Sequence, residues 1–251
     1  MERRGLTGVR LFSSDLDGTL AGDRDASRRF ADWWDNLPLS GRPLLVYNSG
    51  RLLEDMAEFV PAQGLPEPDY LIGGVGTMLS GGERGLADHF QQVLGSSFDR
   101  NRIADTLGAI ENAVLQPDKY QHSHKSSWYL HDASEEQIRD IEERLASQGL
   151  GVKLIYSSQR DLDVLPQAAD KGEALRWLCE RLGIGLQEVV VAGDTGNDAS
   201  MFSLPEIRGI LPSNARDELT LLARQNPRIY RAHQPIAAGV VEGLIHFGLG
   251  G

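Results

Sequence analysis

The sequence predicts an α/β protein: a Rossmann-like parallel-sheet core with helices on both faces, interrupted by an α+β insertion. Three observations carry that expectation. Short runs rich in Val, Leu and Ile alternate with amphipathic stretches in the first third of the chain. The same rhythm returns in the last third, and the block between them has a different texture. Strands joined through helices are the pattern of a parallel sheet, because each crossover must cover a sheet face.

Taken in order, residues 9–13, 43–47 and 70–72 read as buried strands, short and bounded by turn formers. Between the first two, Phe30, Trp33, Trp34 and Leu37 recur at i, i+3, i+4, i+7, so the two tryptophans read as the core face of a helix. Leu52, Leu53, Met56, Phe59 and Val60 repeat that spacing after the second strand. Residues 78–85 are glycine-rich and mark an expected boundary. Beyond it come a helix carrying Ile103, Leu107, Ile110 and Val114, a strand at 127–130, and a helix with Ile138, Ile141 and Leu145. Ser134 and Gln137 fit a capping box on that second helix. Strands at 152–156 and 162–165 flank a turn at 157–160. The core rhythm resumes with Ala174, Leu175, Leu178 and Leu182 on a helix, an apolar strand at 189–192, and a packed element beginning at Met201 and Phe202. Strands at 207–211 and 229–230 follow, then a closing helix with Val240, Val241, Leu244 and Ile245. The expected organisation is a core of residues 1–79 and 167–251 with an insertion of residues 80–166.

Composition narrows the function. The chain has 251 residues, 41% hydrophobic and 24% charged, enough for a substantial core and unlike a disordered chain. The net charge of −11 disfavours a broad nucleic-acid surface, which needs a basic face. A small anionic substrate is compatible with it where a metal or a few cations neutralise the charge locally. The 28 glycines exceed ordinary usage and predict tight turns. The single cysteine, Cys179, forms no internal disulfide or zinc cage by itself and reads as buried packing. Residues 1–4 are charged and lead into an apolar patch shorter than the ~7–15 residues of a signal peptide. No window reaches the ~18 apolar residues of a membrane span. The expectation is a cytoplasmic protein with no nucleic-acid or membrane partner.

Four polar constellations follow the predicted strands or open a helix. Asp15-Leu16-Asp17-Gly18-Thr19 follows the first strand, and Gly18 permits a sharp turn that lets both carboxylates face one centre. Gly193-Asp194-Thr195-Gly196-Asn197-Asp198 follows a later one, bringing two more carboxylates and a carboxamide to the start of a helix. Oxygen ligands of this kind suit Mg²⁺. Taken singly, the first is also an ordinary Asp-rich turn and the second an N-capped helix; the coupling of the two favours a shared site. Asn48-Ser49-Gly50-Arg51 supplies a hydroxyl and backbone amides at a helix N-terminus, a ready anion site. Lys171-Gly172 opens a helix where the chain returns to the core.

These four elements, in this order, strongly resemble the haloacid dehalogenase-like phosphohydrolase superfamily. The likeness extends to its sucrose-phosphate phosphatase group through Gly73-Gly74-Val75-Gly76-Thr77, His124-Lys125-Ser126-Ser127-Trp128 and the run from Asp161 to Pro166. The resemblance implies that residues 80–166 form an inserted α/β cap, that Asp15 is a nucleophile forming an aspartyl-phosphate and that Asp17 is general acid, then base. A useful acid must hold its proton near neutral pH, which neighbouring carboxylates and a partly closed site would favour. It implies Mg²⁺ held by Asp15, the Asp17 backbone carbonyl, Asp194 and Asp198. Lys171 would supply a cation to the nucleophile and the phosphoryl oxygens, with Ser49, Gly50, Arg51 and Asn197 around the phosphate. Lys125, with His124 and Ser127 nearby, would recognise sugar hydroxyls from the cap. His122 and His131 read as surface histidines, and a zinc site made with His124 has weak support in their spacing. Asp161 and Asp163 alternate on one strand and share a face, either sugar-binding or solvated.

The function so implied is removal of phosphate from a disaccharide phosphate, mannosylfructose phosphate first and sucrose 6-phosphate second, with a glycosyltransferase (synthase) as an expected partner. A sugar phosphomutase is the enzymatic alternative. A non-catalytic sugar-phosphate-binding regulator is the other, though a binder needs no acid beside the nucleophile.

Overall fold

The computed structural model describes residues 8–95, 98–224 and 226–250. The charged start at residues 1–4 lies outside them. The core strands are β1 (Leu11–Ser14), β2 (Leu44–Asn48), β3 (Tyr70–Gly73) and β4 (Met78–Gly81), followed in the insertion by β5 (Val114–Leu115), β6 (Ser126–Tyr129), β7 (Val152–Ser157) and β8 (Asp161–Pro166). The core resumes with β9 (Val189–Ala192), β10 (Arg208–Leu211) and β11 (Ile229–Arg231). Helices α1 (Arg24–Asp35), α2 (Leu53–Gln63) and α3 (Leu86–Leu94) precede α4 (Arg100–Gly108) and α5 (Glu135–Ser147). Then come α6 (Lys171–Leu182), α7 (Ala199–Phe202), α8 (Asp217–Arg224) and α9 (Ile236–His246).

Seven strands form one sheet in the order β11-β10-β9-β1-β2-β3-β4, parallel except for the β3–β4 pair. Alternation along each strand divides the core. Leu11, Val46, Val189 and Val191 face one apolar cluster with α3, α6 and α8, while Phe12, Leu45, Tyr47, Val190 and Ala192 face another with α1, α2 and α9. Both faces are therefore covered, as a parallel sheet requires. Phe30 and Trp34 are buried on α1, whose N-cap Asp23 accepts from the Asp25 and Ala26 amides. Cys179 is buried on α6.

The four-stranded antiparallel sheet β5-β6-β8-β7 has its own cluster, with Ile103 and Leu107 of α4 and Ile141 and Leu145 of α5 packed on Trp128, Leu154, Leu162 and Val164. The same alternation turns Ser127, Tyr129, Asp161 and Asp163 toward the opposite face.

Two expectations are corrected. Residue 80, the expected start of the insertion, falls within β4, which pairs antiparallel with β3. Helix α3, unforeseen in the sequence, then places Phe90 and Leu94 in the core cluster with Trp177. The glycines at 81, 82 and 85 take positive φ in a turn that keeps the chain on the core sheet instead of leaving it. Val114 is not on a helix: α4 stops at Gly108, Asn112 takes φ 66°, and Val114 pairs with Tyr129, 58% exposed. Helix α8 also escaped the sequence pattern.

Candidate active site

Parallel register brings the motifs together. Ser14 lies opposite Tyr47 of β2 and Ala192 of β9, so all three strands end at one level. The next residues, Asp15, Asn48-Ser49 and Gly193-Asp194, emerge side by side at the C-terminal edge. The chain runs from β1 out to β4 and returns on the other side of β1, so this edge is the crevice where such sheets bind ligands. The Asp15 amide donates to Ala192 O at 3.0 Å and the Ser49 amide to Ile72 O at 2.9 Å, fixing both loops at their roots.

Beneath Asp15 lies a buried charge cluster. Lys171 is fully buried, its Nζ donating to Asp15 Oδ1 at 2.6 Å and Asp198 Oδ1 at 2.7 Å. Its depth follows from Gly172, where a Cβ would lie 2.4 Å from the Ser200 carbonyl oxygen, and from Asn48, whose Nδ2 donates to Lys171 O at 2.9 Å. Asp198 Oδ2 accepts from the Asp194 and Thr195 amides at 3.0 and 3.2 Å, and Thr19 Oγ1 donates to Asp194 Oδ1 at 3.1 Å. Gly18, at φ 78°, has no room for a side chain: a Cβ would meet Asp194 Oδ2 at 2.3 Å.

The electrostatics record an excess of negative charge. Burial pushes the Asp15 carboxyl well above the usual carboxylate range; Lys171 pulls it back, while Asp198 and Asp194 push it further up. Burial and then Asp198 push Asp194 up to about 7. For Lys171 burial opposes the charge, but Asp15 and Asp198 outweigh it and hold the ammonium above its ordinary value. One oxygen each from Asp15, Asp194 and Asp198 lies within 4.8 Å of the others, the sole such acidic or histidine group among the described residues. Three hard oxygen donors with surplus negative charge fit Mg²⁺. Of the three cap histidines, His122 and His124 lie together, ring centroids 6.0 Å apart, and His131 does not join them.

Asp17 departs from expectation. Its side chain was expected beside carboxylates and instead meets a cation: Arg51 Nε and Nη2 donate to its two oxygens at 2.7 and 2.8 Å. The carboxylate neighbours expected around Asp17 surround Asp15 instead, because the Gly18 turn directs Asp17 outward to the crevice wall. Arg51, expected on the phosphate, is engaged with carboxylates.

A cavity of about 430 Å³ separates core from insertion, with Asp15, Asp17, Ser49, Gly50, Arg51, Thr195 and Asn197 on the core side. Gln116, Tyr120, Lys125, Tyr129, Asp161 and Asp163 face them, together with the 157–160 turn. That volume suits a small-molecule site. Lys171, Asp194 and Asp198 lie behind Asp15 and not on the wall, so Lys171 meets the cavity only through Asp15. On the opposite side, Lys125 Nζ has three partners, Tyr120 O at 3.2 Å, Ser127 Oγ at 2.5 Å and Asp163 Oδ1 at 3.0 Å. Two of these are hydrogen bonds, to Tyr120 and Ser127, and the Asp163 contact is an ion pair, so a ligand on this wall would compete with that ion pair for the ammonium. Asp163 also accepts from Ser127 Oγ at 2.6 Å, and Asp161 from Gln116 Nε2 at 3.0 Å and Arg160 Nη2 at 2.8 Å. The face these aspartates share is thus a cavity wall. His124 is turned away, its Nε2 3.0 Å from Gly95 O, and His131 stacks on Tyr129. Gln116, Tyr120, Tyr129 and Arg160 were missed from sequence; the alternation Ser127–Tyr129 was the one signal available, pointing to Tyr129.

The sheet with its inserted α/β unit has the fold of a haloacid dehalogenase-like hydrolase of Bacillus subtilis, at a TM-score of 0.64 and 16% identity, covering 95% of this chain and 92% of that one. The chain belongs to the Sucrose-6F-phosphate phosphohydrolase family, whose model matches residues 9–248, and is a phosphoric monoester hydrolase acting on sugar phosphates. It is 51% identical over 242 residues to a mannosylfructose-phosphate phosphatase of Agrobacterium fabrum, covering 96% of this chain and 98% of that one. A sucrose-phosphatase of Nicotiana tabacum is 32% identical over 253 residues; the match covers 96% of this chain but 59% of the tobacco protein. The solved structure of the Synechocystis sucrose-phosphatase with sucrose and phosphate superposes with a TM-score of 0.88 at 30% identity, covering 98% of this chain and all of that one. No helix among the described residues is long and apolar enough to cross a membrane.

Proposed function

We propose that the enzyme hydrolyses mannosylfructose phosphate through an aspartyl-phosphate on Asp15. The observation that carries the chemistry is Asp15 on the floor of the cavity with Lys171 2.6 Å behind it. The ammonium orients the attacking oxygen and offsets the charge of bringing an anion to a phosphate. Asp17, two residues on and on the same wall, protonates the departing sugar oxygen and then takes a proton from the hydrolytic water. Ser49, the Gly50 amide and Asn197 hold the phosphoryl group, whose transfer depends on positioning and charge. Asp15, Asp194 and Asp198, with the Asp17 backbone carbonyl, would hold Mg²⁺, which supplies counter-charge to the phosphate when bound. The insertion supplies the sugar-facing wall and excludes water.

The substrate assignment is supported by the 51% identity over nearly the whole of both chains. Sucrose 6-phosphate is the second reading, supported by the similarity to the sucrose-bound structure. A synthase that makes the phosphorylated disaccharide is the reaction class upstream, and a cytoplasmic location belongs to the same reading. Phosphate release from mannosylfructose phosphate, sucrose 6-phosphate and p-nitrophenyl phosphate, with and without Mg²⁺, tests it. Mannosylfructose phosphate is expected to give the highest kcat/KM, and Asp15→Asn to abolish turnover while the protein stays folded. Preference for another ester refutes the substrate; turnover by Asp15→Asn refutes the nucleophile.

A further inference from the structure

We infer that Arg51 is a positioning residue for the proton donor, braced by Asp55 and Phe59; the inference rests on the proposed role of Asp17 as acid. Arg51 lies just before α2. Its Nε and Nη2 grip both oxygens of Asp17, its Nη1 donates to Asp55 Oδ2 at 2.7 Å, and its guanidinium carbon lies 3.6 Å from the centre of the Phe59 ring. Asp55 and Phe59 are one turn apart on α2 and share a face. The fork is thus held at two edges and on its plane.

This arrangement adds little to stability. The Arg51 side chain is 27% exposed, and those of Asp17 and Asp55 are 55% and 48% exposed, a setting where ion pairs contribute little. Its consequence is geometric. A bidentate guanidinium fixes the plane of the carboxyl it holds, and among the described residues Arg51 is the one hydrogen-bond partner of the Asp17 carboxylate. In the reaction, an Asp15 oxygen bonds to phosphorus as the bond from phosphorus to the sugar oxygen breaks, and that oxygen takes the proton of Asp17. In the donating state one Asp17 oxygen stays on the fork and the other carries the proton. Three N–H groups of Arg51 are engaged with carboxylates, so a phosphate would compete with Asp17 for it.

Asp55→Asn and Phe59→Leu loosen the brace without touching the cavity. The measurement is the single-turnover rate of alcohol release from mannosylfructose phosphate (or sucrose 6-phosphate, if the panel favours that ester) and from p-nitrophenyl phosphate. A sugar alkoxide needs a donor and nitrophenolate does not. General acids contribute ~10²–10⁴-fold, so each variant should slow sugar release roughly 10-fold with KM within about twofold, and nitrophenol release less than about twofold. Added to Asp17→Asn, Asp55→Asn should cost nothing further. Equal losses on both esters, a raised KM with unchanged rate, or no loss overturns the brace. Asp17→Asn releasing sugar at the wild-type rate overturns the acid role itself. Loss in Asp17→Asn with intact brace variants overturns the brace alone.

Discussion

Asp194→Asn should stabilise the metal-free protein, and the size of the gain should depend on pH. The variant removes one of three buried carboxylates and keeps an oxygen for Thr19 Oγ1, which donates to Asp194 at 3.1 Å. An unperturbed aspartate titrates near 3.8, and burial followed by Asp198 raises Asp194 to about 7. The folded state therefore binds this proton more tightly than the unfolded state, so ionisation works against folding. The cost is nearly absent below pH ~4, grows between the two values and is complete above pH ~7. At about 1.4 kcal/mol per tenfold the ceiling is about 4 kcal/mol, and relaxation around the site leaves an expected gain of about 2–4 kcal/mol. For a chain of this size that is roughly 5–10 °C in Tm. Thermal unfolding in excess EDTA should show the variant melting higher at pH 8 and matching the parent at pH 4. With saturating Mg²⁺ the order should reverse, because only the parent gains the full binding energy. A variant no more stable than the parent at pH 8 in EDTA, or equally stabilised at both pH values, refutes the reasoning.

Gly18→Ala should destabilise by at least about 1–2 kcal/mol and cost most of the activity, because φ is 78° and the new methyl lies 2.3 Å from Asp194 Oδ2; a denaturant midpoint and a phosphate-release assay check both. Trp128→Ala, which empties the centre of the insertion's cluster, should cost about 3–4 kcal/mol there, read as faster proteolysis within the insertion. Glu242 is held low, at about 2: partial burial opposes the anion, but the bonds from His233, Tyr230 and the His233 and Gln234 amides outweigh it. Its contribution is complete above pH ~5 and fades as pH falls toward 2, so Glu242→Gln should destabilise the fold by about 1 kcal/mol at pH 7 at this partly exposed site, read as a lower Tm, and not at pH 2.

The floor of the site was legible because its residues immediately follow apolar strands. Once residues 9–13, 43–47 and 189–192 are read as parallel neighbours, strand register alone brings Asp15, Ser49 and Asp194 to one edge. The partnerships were not legible. Arg51 was read as a phosphate ligand, and nothing 34 residues from Asp17 announces the guanidinium that grips it. Lys125 was read as facing the sugar and does line the cavity, but its hydrogen bonds to Tyr120 and Ser127 and its ion pair with Asp163 had no signal in the sequence. The glycines after Met78 resembled a linker because a turn and a linker share composition, and only the pairing of β4 with β3 separates them.

Alternation of side chains and the residues at strand ends determined the layered core and the gathering of its acids, since both depend on local periodicity that a parallel sheet converts into position. Which charge meets which was decided only in three dimensions. Each lysine, arginine and carboxylate has several partners within reach, and the packing of distant segments leaves room for one set of contacts.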